Sequence, residues 1–207
     1  MPDYVFNKTD GLYRVKSTGR AITERELYQW VEDAVTAGGK NLERFARQLQ
    51  GGEIDSVDWA ISTGEEIRNM HRAVAMIASG GKQQMSHSDW GFVGARIREQ
   101  LSYFNRFASE VDNIPDGAKL TDAFVARAKS YHHAAYETFA KALRRRIVRD
   151  GQAQFEENQL EAGAEHCEGC LAASAEGRVP VGTLTPVGDR ECGSRCLCRI
   201  IYVREAA

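Results

Sequence analysis

The chain has 207 residues, 43% of them hydrophobic and 27% charged, so it can bury the core of one domain or of one domain with a small appendage. Its 27 basic and 29 acidic residues leave a net charge of -2, which argues against a dedicated nucleic-acid coat protein. No stretch reaches the roughly 18 apolar residues of a membrane span, and the N-terminus has no secretory pattern. These features predict a protein made in a reducing cytosol that does not contact membranes.

Residues 1–21 predict an N-terminal hairpin or extended arm. Two short apolar runs, Tyr4–Phe6 and Leu12–Val15, flank a turn signal at Lys8–Gly11. Because a lone hairpin has marginal stability, an arm without a stable sheet of its own is an equal alternative.

Residues 22–151 predict a helical region with about four long amphipathic helices. Each predicted helix has apolar residues at helical spacing on one face and charged residues on the opposite face. Their start signals are Thr23, Ser56, Ser86 and Thr121. The third ends at Ile114–Gly117, and Gly38–Gly39 can kink the first. The predicted fold is therefore mainly α, an elongated bundle whose helices bury their apolar faces against each other or against partner subunits.

Residues 152–207 predict a linker and then a cysteine-rich module. The segment 151–166 is polar and acidic, which is typical of a linker or of a solvated extension of the fourth helix. All five cysteines of the chain follow, in the order Cys167-Glu-Gly-Cys170 and Cys192-Gly-Ser-Arg-Cys196-Leu-Cys198. Glycines, prolines and β-branched residues between the two groups predict turns and short strands, and an apolar strand closes the chain.

The cysteine pattern has three chemical interpretations. Thiolates from two tight turns can bind one tetrahedral zinc ion, with five thiols for four positions and His166 as a further candidate. Disulfides would leave one thiol unpaired, and a redox pair would need an electropositive helix N-terminus, which Glu168 opposes. The pattern favours a structural zinc ion that folds a small zinc-ribbon-like β module, with candidate ligands Cys167, Cys170, Cys192, Cys196 and Cys198.

A dense basic run lies at the end of the fourth predicted helix. Its members are Lys141, Arg144, Arg145, Arg146 and Arg149. The run could contact nucleic acid or an acidic partner, or it could be a solvated helix end whose cations complement the helix dipole.

The C-terminal segment resembles the end of the phage head-morphogenesis, or Mu protein F-like, family of minor head proteins. The residues that carry this resemblance are Cys167, Cys170, Gly177, Pro180, Gly182, Thr183, Leu184, Cys196, Cys198 and Arg199. The family motif has a histidine before its last two cysteines, and this chain has Cys192 one residue further upstream. The position of the cysteine module after long charged helices is similar as well.

The resemblance implies a non-enzymatic minor structural protein of a tailed-bacteriophage head. Such a protein acts in head morphogenesis near the portal or head–tail vertex and is assembled in the host cytoplasm. Its expected partners are the portal, major capsid or connector proteins, together with packaged DNA. Helices with a single apolar face suit a protein that is present in several copies in a symmetric assembly.

Two other functions are alternatives. One is a cytosolic zinc-ribbon adaptor that binds nucleic acid in a regulatory complex, for which the basic run would provide the contact. The other is an enzyme with a structural zinc ion, which the lack of a recognisable acid–base constellation disfavours.

Overall fold

The computed structural model describes residues 3–114 and 119–204, where the protein is mainly helical with two small antiparallel sheets. The predicted turn at Ile114–Gly117 has its last three residues outside the described part of the chain. Among the described helices, none combines the length and the apolar character that a membrane crossing requires.

The N-terminal residues form a three-stranded sheet with the order β1-β2-β3. The strands are β1 (Tyr4–Asn7), β2 (Leu12–Val15) and β3 (Ala21–Ile22), and both pairs are antiparallel. The hairpin prediction is confirmed, and one face of the sheet is buried against the helices. Phe6 and its register partner Tyr13 belong to the main core, and Tyr13 donates a hydrogen bond to the carbonyl of Ala78 at 2.5 Å. The sheet is therefore stabilised by the helices, as a small hairpin requires.

Three long helices follow the sheet: α1 (Glu24–Gln50), α2 (Ser56–Ser79) and α3 (His87–Asp112). Side chains at the N-caps accept hydrogen bonds from the first turn of each helix, and Thr23 with Glu26 forms the predicted capping box. The helices thus begin where local side-chain chemistry predicts. Helix α2 packs against both α1 and α3.

Helix α1 continues through Gly38 and Gly39 without interruption. Both glycines lie where other residues pack closely against α1. A Cβ atom at Gly38 would lie 2.0 Å from the sulfur of Met70 on α2, and one at Gly39 would lie 3.1 Å from the His132 ring. The absence of side chains here lets α2 and the later helices approach the backbone of α1.

The predicted fourth long helix is divided into two. Helix α4 (Asp122–Ser130) leads into a 3-10 turn at Tyr131–His133, and α5 (Ala134–Asp150) follows. Neither glycine nor proline causes this break. The Tyr131 ring packs against Phe104 and Phe107, which places the turn next to the aromatic core.

That core is centred on Trp59, which is fully buried. Its indole ring contacts the rings of Phe104, Phe107 and Phe124 at centroid distances of 5.3–5.5 Å. Edge-to-face contacts of this kind add to the stabilisation from burial. Helices α2, α3 and α4 are thereby joined in one hydrophobic core.

After α5, the chain forms a second three-stranded sheet with the order β5-β4-β6. The elements of this C-terminal module are β4 (Phe155–Gln159), α6 (Glu168–Ala175), β5 (Val179–Pro180) and β6 (Arg199–Val203). The central strand β4 occupies residues that the sequence predicted to be a linker or a helix extension, so that prediction is wrong. The predicted strand at the end of the chain is confirmed as β6.

Candidate metal centre

Three local structures present the five cysteines. Cys167 is the N-cap of α6 and Cys170 lies in its first turn, so one helix start holds both thiols. A 3-10 turn at Gly193–Arg195 separates Cys192 from Cys196. Cys198 lies immediately before β6, whose pairing with β4 fixes the position of this segment. The first cysteine pair thus lies on a helix and not on the β-knuckle expected of a zinc ribbon.

The five sulfur atoms converge in space. The Sγ atom of Cys192 lies 3.4 Å from that of Cys167 and 3.6 Å from that of Cys170, and Cys170 lies 3.5 Å from Cys196. These separations exceed the S–S bond of about 2.05 Å and approach the roughly 3.8 Å edge between thiolates around tetrahedral zinc. All five thiols are free.

Two groups of three thiols can each hold a metal ion, and they share Cys170. One consists of Cys167, Cys170 and Cys192, and the other of Cys170, Cys196 and Cys198, with the sulfur atoms of each group within 4.8 Å of one another. The sequence-predicted metal ligands are therefore all brought together. The donor set suits a metal ion that accepts several thiolate ligands.

A buried arginine, which the sequence analysis missed, supports the centre. Arg190 is 6% exposed, and its guanidinium lies 3.6 Å from Cys170 Sγ while donating to the side chain of Asn158 at 2.7 Å. It also donates to the carbonyl of Thr185 at 2.8 and 3.0 Å. The Asn158 amide in turn donates to the Cys170 carbonyl. The network fixes the start of α6 against β4 and places a positive charge beside the thiols.

The surroundings of the thiols give Cys170 and Cys198 different pKa values. Burial disfavours the Cys170 thiolate, but hydrogen bonds from Arg190 and the neighbouring thiols outweigh burial and lower the pKa of Cys170 to about 7. Burial, together with a hydrogen bond to Cys170, raises the pKa of Cys198 to about 12. Without a metal, Cys170 is thus much more readily ionised than Cys198.

His166, a further candidate ligand, makes a hydrogen-bond contact with the Cys198 thiol. Its Nδ1 atom is 3.5 Å from Cys198 Sγ. On the opposite side, the carboxylate of Glu191 accepts the backbone N–H of Gly169 at 3.0 Å and so binds the first turn of α6. Glu191, which the sequence analysis did not identify, adjoins Cys192 in sequence, and that position is the signal that could have identified it.

No protein-family model, curated protein or solved structure matches this chain. The resemblance to phage minor head proteins therefore remains a prediction from the residues that carry it.

The basic run on α5 is largely engaged within the protein. Arg144 pairs with Glu156 at 2.6 Å, and Lys141 pairs with Glu137 at 2.8 Å and with Asp189 at 2.5 Å. Arg149 forms ion pairs with Asp89 and Asp150. These contacts attach α5 to the C-terminal module and to α3.

The other two arginines of the run differ in exposure. Arg146 is 3% exposed, lies 3.8 Å above the Phe6 ring and donates to the Ala78 carbonyl. Arg145 is exposed, donates to Ser88 and stacks over Phe92. Thus Arg146 is a core residue, which neither interpretation of the run had predicted.

A groove of about 1030 Å³ separates α1 and α5 from the C-terminal module. Cys196 and Cys198 line one wall. Several of its polar residues already have partners, since Tyr136 donates to Glu32 and Arg199 pairs with Glu161. These internal pairs account for part of the polar lining of the groove.

Proposed function

We propose that this chain is a non-enzymatic minor structural protein of a tailed-bacteriophage head that acts near the portal or head–tail vertex. We also propose that a structural zinc ion holds its C-terminal module. The observation that carries the proposal is the convergence of the five thiols, because four of them, Cys167, Cys170, Cys196 and Cys198, also carry the resemblance to phage minor head proteins.

The size of the module's own core supports a structural role for the metal. Among the described residues, its separate hydrophobic cluster has four buried members, with four partly buried residues packed against them: Ala173, Leu184, Val187 and Ile200 are buried, and Ala140, Val179, Cys196 and Tyr202 are partly buried. So little buried apolar surface cannot offset the entropy lost by more than 40 ordered residues, by the usual estimate of about 1.5 kcal/mol per residue. A tetrahedral zinc ion would supply the missing stabilisation and would need no open coordination position.

The helical part offers a surface for protein contact. Val57 and Ile61 lie one turn apart on α2 and are 61% and 60% exposed. Two neighbouring apolar side chains on a charged exterior suit a contact with another protein. We propose that this pair contacts a neighbouring virion subunit.

The nucleic-acid adaptor is the weaker alternative. Most of the basic run forms ion pairs inside the protein, so few of its charges are free to displace counterions from phosphates. A DNA contact, if present, would depend mainly on Arg145. An affinity for DNA that falls steeply with salt, and that Arg145→Gln abolishes, would favour the adaptor instead.

Mass spectrometry of purified phage particles tests the proposed function. Particles from the genome that encodes the chain, including procapsids, should contain it in a fixed ratio to the portal protein. The double variant Val57→Ser and Ile61→Ser should lower incorporation, whereas Leu171→Ser, at an exposed position on α6, should not. Absence of the chain from particles at every stage of assembly would refute the proposal.

A further inference from the structure

We infer that one zinc ion is bound by the four thiolates of Cys167, Cys170, Cys192 and Cys196, and that Cys198 stays outside the coordination sphere. This inference rests on the zinc binding proposed above and adds the identity of the ligands. Zinc in structural sites takes four ligands in a tetrahedron, so one of the five thiols must be left over.

The contacts among four of the thiols resemble the edges of a tetrahedron. Three Sγ–Sγ distances, between Cys167 and Cys192, Cys192 and Cys170, and Cys170 and Cys196, lie between 3.4 and 3.6 Å. The sulfur atoms of Cys167 and Cys170 also lie within 4.8 Å of each other. Four of the six edges of a tetrahedron are thereby present, and a small rearrangement toward edges of about 3.8 Å would accommodate the ion.

Cys198 has a different set of neighbours. It lies within 4.8 Å of Cys170 and Cys196, and neither it nor Cys196 belongs to the group of Cys167, Cys170 and Cys192. A ligand must lie near the others, and the Sγ atom of Cys196 lies 3.5 Å from that of Cys170, which in turn lies 3.6 Å from that of Cys192. The Cys198 thiol is 6% exposed and lies 3.5 Å from Nδ1 of His166, which provides a partner other than the metal.

The charge of the site agrees with four thiolates and one nearby cation. Zinc with four thiolates carries a net charge of about -2, which is costly to bury without compensation. The guanidinium of Arg190, 3.6 Å from the Cys170 sulfur, supplies a positive charge inside the module. A fifth thiolate would add another negative charge to the site.

Zinc X-ray absorption of the intact wild-type protein tests the ligand set without mutation. We expect one zinc ion per chain, with four sulfur neighbours at about 2.3 Å and no nitrogen neighbour. A histidine signal would overturn the assignment because His166 would then be a ligand. Two zinc ions per chain would also overturn it, since the two thiol groups would then bind separate ions through Cys170.

Single-residue variants test whether Cys196 or Cys198 is the fourth zinc ligand. Cys198→Ser and Cys198→Ala should retain one zinc ion with an affinity within about tenfold of the wild type, because only a neighbour of the ligands changes. Cys196→Ser should lower the zinc affinity by more than about 100-fold, which is beyond the range typical of residues outside the coordination sphere. Cobalt substitution should give tetrathiolate absorption in both Cys198 variants and lose it in Cys196→Ser.

The reverse ranking of these variants, or equal losses at both positions, would overturn the assignment. Alanine is included because a hydroxyl group at the buried position 198 could itself disturb folding. These measurements use purified protein, so they are independent of whether the chain is found in phage particles. A failed virion test with an intact four-thiolate site would refute only the proposed function.

Discussion

Gly80 is the residue at which helix α2, the N-terminal sheet and the following loop meet. It ends α2 in the left-handed conformation, with φ of 85°. A Cβ atom here would lie 2.3 Å from Cβ of Phe6 and 2.7 Å from its backbone nitrogen. Both the backbone conformation and the space therefore require glycine.

Gly80→Ala should destabilise the protein by about 3 kcal/mol, from left-handed strain and displacement of β1. Gly52→Ala is the matched control, because Gly52 has φ of 74° but a Cβ atom there would have nothing within 4 Å. That variant should lose only about 1 kcal/mol. Urea unfolding followed by far-UV circular dichroism measures both. Equal losses would show that contact with Phe6 is unimportant.

His71 makes the stability of the helical core depend on pH. Its ring is fully buried, with Nδ1 2.7 Å from the hydroxyl of Thr138. Burial and, secondarily, the charge of Arg96 lower the pKa of His71 to about 4. The unfolded chain takes up this proton near pH 6.5, so the free energy of unfolding decreases as the pH falls from about 6.5 to 4.

Because of this linkage, the free energy of unfolding of the wild type should fall by about 2 kcal/mol between pH 7 and pH 5. His71→Gln removes the titrating ring and keeps a hydrogen-bonding group for Thr138. The variant should be less stable at pH 7 but should lose less stability between the two pH values. Urea unfolding at both pH values gives the comparison. An identical pH dependence in the two proteins would contradict a neutral, buried His71.

At the scale of elements, an ion pair joins helix α5 to strand β4. Glu156 is fully buried, and its Oε1 atom accepts hydrogen bonds from Arg144 at 2.6 Å and from the backbone N–H of Leu184 at 2.8 Å. The pair connects the helical part, the central strand of the module and the loop after β5. Such a buried pair matters most when one partner is removed.

Arg144→Gln should therefore destabilise the protein by about 3–5 kcal/mol, because the carboxylate of Glu156 stays buried without its cation. Adding Glu156→Gln should recover part of this loss, as measured by urea unfolding. Arg145→Gln is the adjacent control and should cost less than about 1 kcal/mol, since Arg145 is exposed. If Arg144→Gln and Arg145→Gln lowered the free energy of unfolding equally, the ion pair would not be the link between these elements.

On the scale of the whole molecule, residues 3–114 and 119–204 form two hydrophobic clusters of unequal size. The larger one joins the N-terminal sheet to α1–α5, and the smaller one lies within the C-terminal module. Tyr202 packs against both clusters. The helices thus have a core that does not depend on the metal, whereas the module has little core of its own.

Cys170→Ser, or removal of zinc by a chelator, should unfold the C-terminal module and leave most of the helical circular dichroism signal. In the part of the module that the structure describes, the one α-helix is the eight-residue α6. Limited proteolysis should cleave the treated protein after residue 151, whereas Leu171→Ser should behave as the wild type because Leu171 is exposed. Loss of most of the helicity would contradict this two-part stability.

Strand β4 shows why part of the module could not be predicted. Its inward-facing residues are Glu156 and Asn158, so the usual alternation of apolar and polar residues is replaced by polar side chains on the buried face. Their partners, Arg144 and Arg190, are distant in sequence.

The amino-acid sequence by itself determined where the long helices begin, because a capping side chain such as Thr23 or Ser86 bonds to the backbone three residues away. It also determined which residues supply the thiols. Only the tertiary structure decided how α4 and α5 divide, which arginines are buried and which cysteines approach each other. These features depend on contacts between residues far apart in the chain, whose geometry no local pattern specifies.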